Sequence, residues 1–173
     1  MTQTESDPLR QDVATLKVRR IGPIRSERIF ELLADGSWLG DLVAPGSAGG
    51  EALDPGTRRF VTDLVMPLPP EGRLLSFRKA AFVDLGPAIV GPDGGRIPIA
   101  WRSASLAPLF PVFAGYLRVL RDELAIEGHY APPGGAIGMA VDRVLLHIAA
   151  RGTGRWLLDR LADAAGFEGP RAV

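Results

Sequence analysis

The chain has 173 residues, of which 46% are hydrophobic and 23% charged, the size and balance of a single globular domain with a real core. Twenty basic residues offset twenty acidic ones, so no overall field favours nucleic acid or an anionic membrane. With no cysteine, the chain has no disulfide, no thiolate zinc site and no cysteine nucleophile.

The opening "MTQTESDPLRQDV" is polar and acidic, without the apolar core of a signal peptide. No apolar run reaches the roughly 18 residues a membrane span requires. Residues 1–11 therefore read as a flexible tail, 12–165 as one domain and 166–173 as a second flexible tail, and the expected location is the cytoplasm. Of the basic residues only Lys17 and Lys79 are lysines, and alanine, glycine and proline abound. That composition has the accent of a GC-rich bacterial genome.

"VATLKVRRI" alternates as a strand, with Leu16 and Val18 on one side and Lys17 and Arg19 on the other. Helical spacing follows in Ile29, Phe30, Leu32 and Leu33, with Ser26 placed to cap the start and Asp35-Gly36 to stop it. Trp38 to Leu42 suit one further turn, and "APGSAGGEALDPG" is a loop by composition. Strands are then expected over "TRRFVTDLVM", "RLLSFRKAAFVDL" and "RIPIAWRSAS", the last preceded by a "GPDGG" turn. Pro98 marks that strand as an edge or a bulge. Only Arg121-Asp122 separates "VFAGYLRVL" from "ELAIEGHY", which implies a tight hairpin.

A long helix is expected from about Gly135 to Ala165. At a rise of about 1.5 Å per residue it would be roughly 45 Å long, as wide as a domain of this size, about 40 Å across. Ile137, Val141, Val144, Leu145 and Ile148 share one face of its first half. Leu157, Leu158 and Leu161 lie on a rotated face, and Gly152 and Gly154 between them predict a bend or loosened turn. A sheet of this size and one long helix bury each other only if the sheet curls around the helix. The expected fold is thus α+β, a curved antiparallel sheet wrapped around a long C-terminal helix, with one or two short helices after the first strand. The small residues Gly135, Ala136, Gly138 and Ala140 either leave space beneath the curled sheet or let helix and sheet approach closely.

No catalytic signature stands out. His129 shares strand parity with Glu127 and Glu123 and belongs on the outer face; His147 lies off the main apolar stripe and suits a structural hydrogen bond at the helix surface or to a loop. Neither has metal-ligand spacing, Ser76, Ser103 and Ser105 lack a nucleophile elbow, and "GPDGG" has no helix behind it to hold a phosphate. No cofactor is implied. Polar residues set among apolar ones are more informative: Thr62 with Phe60, Leu64 and Met66; Tyr116 and Arg118 opposite Leu117 and Val119; Tyr130 with Leu124 and Ile126; and Trp101 with Ile97 and Ile99. A mainly apolar cavity with a few convergent polar groups is what a small-molecule site needs. The candidate lining is Phe60, Thr62, Leu64, Trp101, Tyr116, Arg118, Tyr130, Ile137, Val141, Val144 and Ile148.

The stretch "GHYAPPGGAIGMAVDRVLLHIAA" resembles one branch of the START-like, or SRPBCC, superfamily through Gly128, Tyr130, Pro132, Pro133, Gly138, Asp142, Arg143 and His147. Pro23, Phe30 and Asp35 are similar to the superfamily's opening segment, and Phe110-Pro111 also fits; the similarity spans about Val13 to Ala165. The short hairpin after Leu120 and the glycines at 152 and 154 depart from the pattern. The resemblance implies a helix-grip fold with a cavity between sheet and helix. Bacterial members are often labelled polyketide cyclase/dehydrase or lipid-transport proteins, and the motifs are shared by carriers, enzymes and regulatory modules. The leading expectation is therefore carriage of a small hydrophobic ligand (lipid, isoprenoid or polyketide-like). Two alternatives stay open. One is a cyclase, dehydratase or hydrolase using Tyr130, Tyr116 or Arg102 to polarise a carbonyl. The other is an interaction module presenting a sheet edge or Trp38 and Leu39.

Overall fold

The computed structural model describes residues 14–44, 53–68, 75–104, 112–131, 143–167 and 170–173. Their elements run β1 (Ala14–Ile21), α1 (Ser26–Asp35), β2 (Asp41–Leu42), β3 (Arg58–Leu68), β4 (Leu75–Leu85), β5 (Ile89–Gly91), β6 (Gly94–Ser103), β7 (Val112–Val119), β8 (Glu123–Ala131) and α2 (Arg143–Ala164). The strands form one antiparallel sheet in the order β1-β8-β7-β6-β4-β3-β2, with β5 paired to β6 beside that path. Helix α2 packs on both β3 and β1, near opposite ends of this order, and on β8. One helix can touch both ends only because the sheet curves around it without closing. The architecture is a helix grip.

Strand alternation sets the inner face. Leu16, Val18 and Arg20 of β1 point inward and are buried, while Thr15, Lys17 and Arg19 are exposed. The same parity buries Leu124, Ile126 and Tyr130 of β8, Phe113, Leu117 and Val119 of β7, Ile97, Ile99 and Trp101 of β6, and Ala81, Val83 and Leu85 of β4. Helix α2 closes this core with Ala150, Thr153, Leu157, Leu158 and Leu161, spaced at three and four residues.

Several local expectations need correction. Arg25, not Ser26, is the N-cap of α1, and no side chain caps it; Ser26 is already helical. The end is as expected: Gly36 takes the left-handed conformation at φ 76° and its N–H bonds to Leu32 O. The segment after α1 makes a turn at 37–39 and then the short strand β2 rather than a helical turn. Pro98 sits in a strand with neighbours on both sides, not at an edge. Its carbonyl accepts from Gly86 N–H at 2.8 Å, so its nitrogen faces the same flank, where β4 pairing ends at Leu85↔Ile99 and β5 pairing starts at Arg96. The missing N–H therefore falls in a gap between partners and breaks no ladder bond.

Gly152 and Gly154 do not interrupt α2, which is helical from 143 to 164, about 33 Å at standard rise. A Cβ on Gly154 would stand 2.6 Å from Val18 Cγ2, so this glycine is where the helix backbone presses against β1. The stretch Gly135 to Ala140, and with it the expected start of the helix, lies outside the described residues. The C-terminal tail expected to be loose is held. Val173 exchanges backbone hydrogen bonds with Arg19 in both directions, at 2.8 and 3.0 Å, and Ala172 is buried with its N–H bonded to Asp159. The last residues thus cover part of the open edge of β1.

Candidate functional site at the aromatic end of the inner face

One register row crosses the inner face without a break: Ala14↔Tyr130↔Phe113↔Trp101↔Val83↔Phe60. It places three aromatic side chains on adjacent strands. Trp101 and Phe113 stack with centroids 3.9 Å apart and planes within 15°. The next row holds two facing glycines, Gly128↔Gly115. A Cβ on either would meet Phe113 Cζ at 2.7 to 2.8 Å, so the Phe113 ring lies over the bare backbone of both. The small residues here are filled by a neighbouring ring.

Tyr130 and His147 meet across the sheet–helix boundary, Oη to Nδ1 at 3.1 Å. Tyr130 is buried and His147 half-buried. Burial pushes the Tyr130 phenol above its ordinary value of 10, because the phenolate would lose its hydration. The phenol therefore stays protonated at neutral pH and can donate to an unprotonated Nδ1. His147 thus makes a structural hydrogen bond, with a strand instead of the helix surface or a loop. Nearby in the row, the Trp101 indole is 1% exposed and its Nε1–H has no hydrogen-bond partner among the described residues.

The sequence-derived candidates divide. Trp101 and Tyr130 share the aromatic end. Phe60 is inward at the far end of the row, but its ring packs on Gly36 at the end of α1, and Thr62 lies beside Gly40. Both thus lie against the end of α1 and the segment that follows it, and Leu64, two residues along β3, is fully buried. Ile148 is half-buried next to His147. Ile137 and Val141 lie outside the described residues, and Val144 belongs to the first turn of α2, its side chain outside the described part. Tyr116 and Arg118 require correction: both point to the outer face, because Phe113, Leu117 and Val119 take the inward parity of β7. Tyr116 is 43% exposed and lies under Arg96. Arg118 reaches Glu127. His129 is exposed, on the outer side assigned from parity. Trp38 and Leu39, considered as exposed contacts, are both buried.

Glu127 sits on the outer face between Arg118 and Lys17, with Lys17 Nζ at 2.7 Å. The Lys17 hydrogen bond, helped by both positive charges, holds its carboxyl below the ordinary value of 4.5 against the opposing effect of burial. A depressed carboxyl stabilises the fold above its unfolded-state value, and that contribution is lost as pH falls from about 4.5 through the lowered value. We expect Lys17→Met to move the Glu127 titration upward in a carbon-detected NMR titration while leaving unfolding at pH 7 within about 0.5 kcal/mol, since the lysine is half-exposed. An unmoved Glu127 titration would contradict the pairing.

Among the described residues no group of three or more His, Cys, Asp or Glu side chains could hold a metal ion, and no helix is long and apolar enough to cross a membrane. The fold places the chain among α+β proteins of helix-grip architecture. No protein-family model matches the sequence, and no curated protein is significantly similar to it.

Proposed function

We propose that this chain is a START-like helix-grip protein that binds a small apolar ligand carrying one hydrogen-bond acceptor, at the aromatic end of the inner face beneath the start of α2. The observation that carries the reading is the Trp101 N–H, buried without an acceptor among the described residues. Leaving such a donor unpaired costs about 1–3 kcal/mol, and a carbonyl or hydroxyl of a bound molecule would relieve that cost. Stacked Trp101 and Phe113 supply the apolar wall, and the Tyr130–His147 pair a second polar contact. The family assignment draws support from the interlocking of its resembling residues: Gly128 lies under Phe113, and Tyr130 bonds to His147.

The test is a thermal-shift screen of fatty acids, isoprenoid alcohols and aromatic ketones, followed by native mass spectrometry of freshly purified protein. A ligand present at about 100 times its Kd stabilises the fold by about 2.7 kcal/mol. Trp101→Phe keeps an aromatic, though smaller, ring and removes the donor, so it should weaken an acceptor-bearing ligand about tenfold more than its hydrocarbon analogue, which reads the loss of volume alone. No binding across the screen would defeat the proposal.

One observation favours a second reading, an enzyme of the cyclase or dehydratase type in the same place. The Tyr130 hydroxyl lies within hydrogen-bond reach of an imidazole nitrogen, an arrangement able to hand a proton to or from a bound carbonyl compound. Turnover that survives unchanged in both Tyr130→Phe and His147→Gln would remove it.

A further inference from the structure

A cavity of about 580 Å³ lies at the opposite end of α2 from His147, where the loop before α1, the β7–β8 hairpin and the end of α2 converge. Its volume falls within the range of about 300–1,000 Å³ typical of small-molecule sites. The residues that build it are chemically one-sided. Two arginines, Arg25 and Arg121, line it, and among the described residues no carboxylate does. The Ile24 N–H bonds to Arg121 O at 3.0 Å, which fixes the two backbones side by side, so Arg121 and Arg25, the residue after Ile24, line the cavity from adjoining stretches of chain. The carboxylates of Asp159 and Asp163 at the end of α2 are engaged by Arg20. The remaining wall is apolar, with half-buried Ile24 and Phe167 over fully buried Ile29 and Leu124.

We propose that this cavity binds a small anionic amphiphile, its phosphate or carboxylate held by Arg25 and Arg121 and its short apolar tail laid along Ile24 and Phe167. Two like charges lining one cavity repel each other, and an anion between them removes that repulsion while taking charge-assisted hydrogen bonds from both guanidinium groups. The adjoining apolar wall explains why a tail adds affinity beyond that of a bare anion. This site is independent of the aromatic end of the inner face.

Calorimetry on the full chain with octyl phosphate, octanol and inorganic phosphate tests the assignment. Octyl phosphate should bind at least tenfold more tightly than either of the others, and the affinity should fall as salt is raised. Arg25→Gln and Arg121→Gln, both at exposed positions, should each weaken it about tenfold, and Ala165→Trp, which fills the cavity, should abolish it. Affinity that follows the arginines and not Trp101 separates this site from the interior one. Vesicles of phosphatidylcholine with and without phosphatidic acid decide the source: co-sedimentation only with phosphatidic acid assigns the amphiphile to a bilayer, and none assigns it to solution. Octanol binding as well as octyl phosphate, or a double arginine variant binding like the native chain, would overturn the proposal.

Discussion

Gly128→Ala is expected to destabilise the protein by about 2–3 kcal/mol, a fall in Tm of roughly 5–10 °C for a chain of this length. The new methyl would clash with the Ala114 carbonyl, stand 2.6 Å from Gly115 Cα and 2.7 Å from Phe113 Cζ. Two of these three neighbours are backbone of the adjacent strand and cannot rotate away. Replacing glycine also restricts the unfolded chain, which favours folding by about 0.4–1 kcal/mol, but the overpacking is larger. The third neighbour belongs to the ring stacked on Trp101, so the same substitution should change the near-ultraviolet circular dichroism of the site. Shrinking the ring with Phe113→Leu in the Gly128→Ala background should recover only part of the loss, since the strand backbone still obstructs the methyl. His129→Ala, one residue along on the exposed face, serves as the control and should stay within about 0.5 kcal/mol. If Gly128→Ala unfolds like the control, the close approach of β7 and β8 is not as described.

Asp159→Ala should cost about 3–4 kcal/mol, read by urea unfolding at pH 7. Arg20 points into the core from β1 with its side chain 4% exposed, 2.8 Å from Asp159 and 3.5 Å from Asp163, and its guanidinium lies 4.5 Å from the Phe167 ring centroid. Asp159 also accepts the Ala172 N–H that holds the C-terminal residues against β1. Removing its carboxylate takes the closest counter-charge from a nearly buried cation and leaves the largely exposed Asp163 at 3.5 Å, and a weakly compensated buried charge is the costly outcome. Arg20→Met should cost less, because Asp159 keeps 15% exposure, the Ala172 N–H and Arg171 at 3.9 Å. The double variant Arg20→Met with Asp159→Leu should be more stable than Asp159→Ala alone, since it removes both charges and fills the space. The reverse order would mean that the pair is solvated and contributes little.

Parity along the strands reads the inner face well where an apolar series is unbroken. It places Trp101 with Ile97 and Ile99, and Tyr130 with Leu124 and Ile126, and the structure buries all six. For Tyr116 and Arg118 the parity is right and their choice as cavity lining is not: Phe113, Leu117 and Val119 take the inward side and leave those two outward. The Tyr130–His147 bond spans 17 residues and two elements, so no local pattern announces it. Arg20 is harder still. It continues the inward series of Leu16 and Val18, yet its charge argues for solvent, and carboxylates far away in sequence, Asp159 and Asp163 at the end of α2, reconcile the two.

The chain's own sequence settled what depends on near neighbours: strand alternation, the stop of α1 at Gly36, the two-residue link at Arg121-Asp122 and the α+β class. Those features follow from backbone preferences and hydrophobic periodicity within a few residues. Tertiary structure alone decided which strands adjoin, that Pro98 falls between two partners, that Phe60 packs under the end of α1, and where Arg20 finds its counter-charge. Each of these depends on groups far apart in sequence meeting within a few ångströms, and burial, charge pairing and steric exclusion act only over such distances.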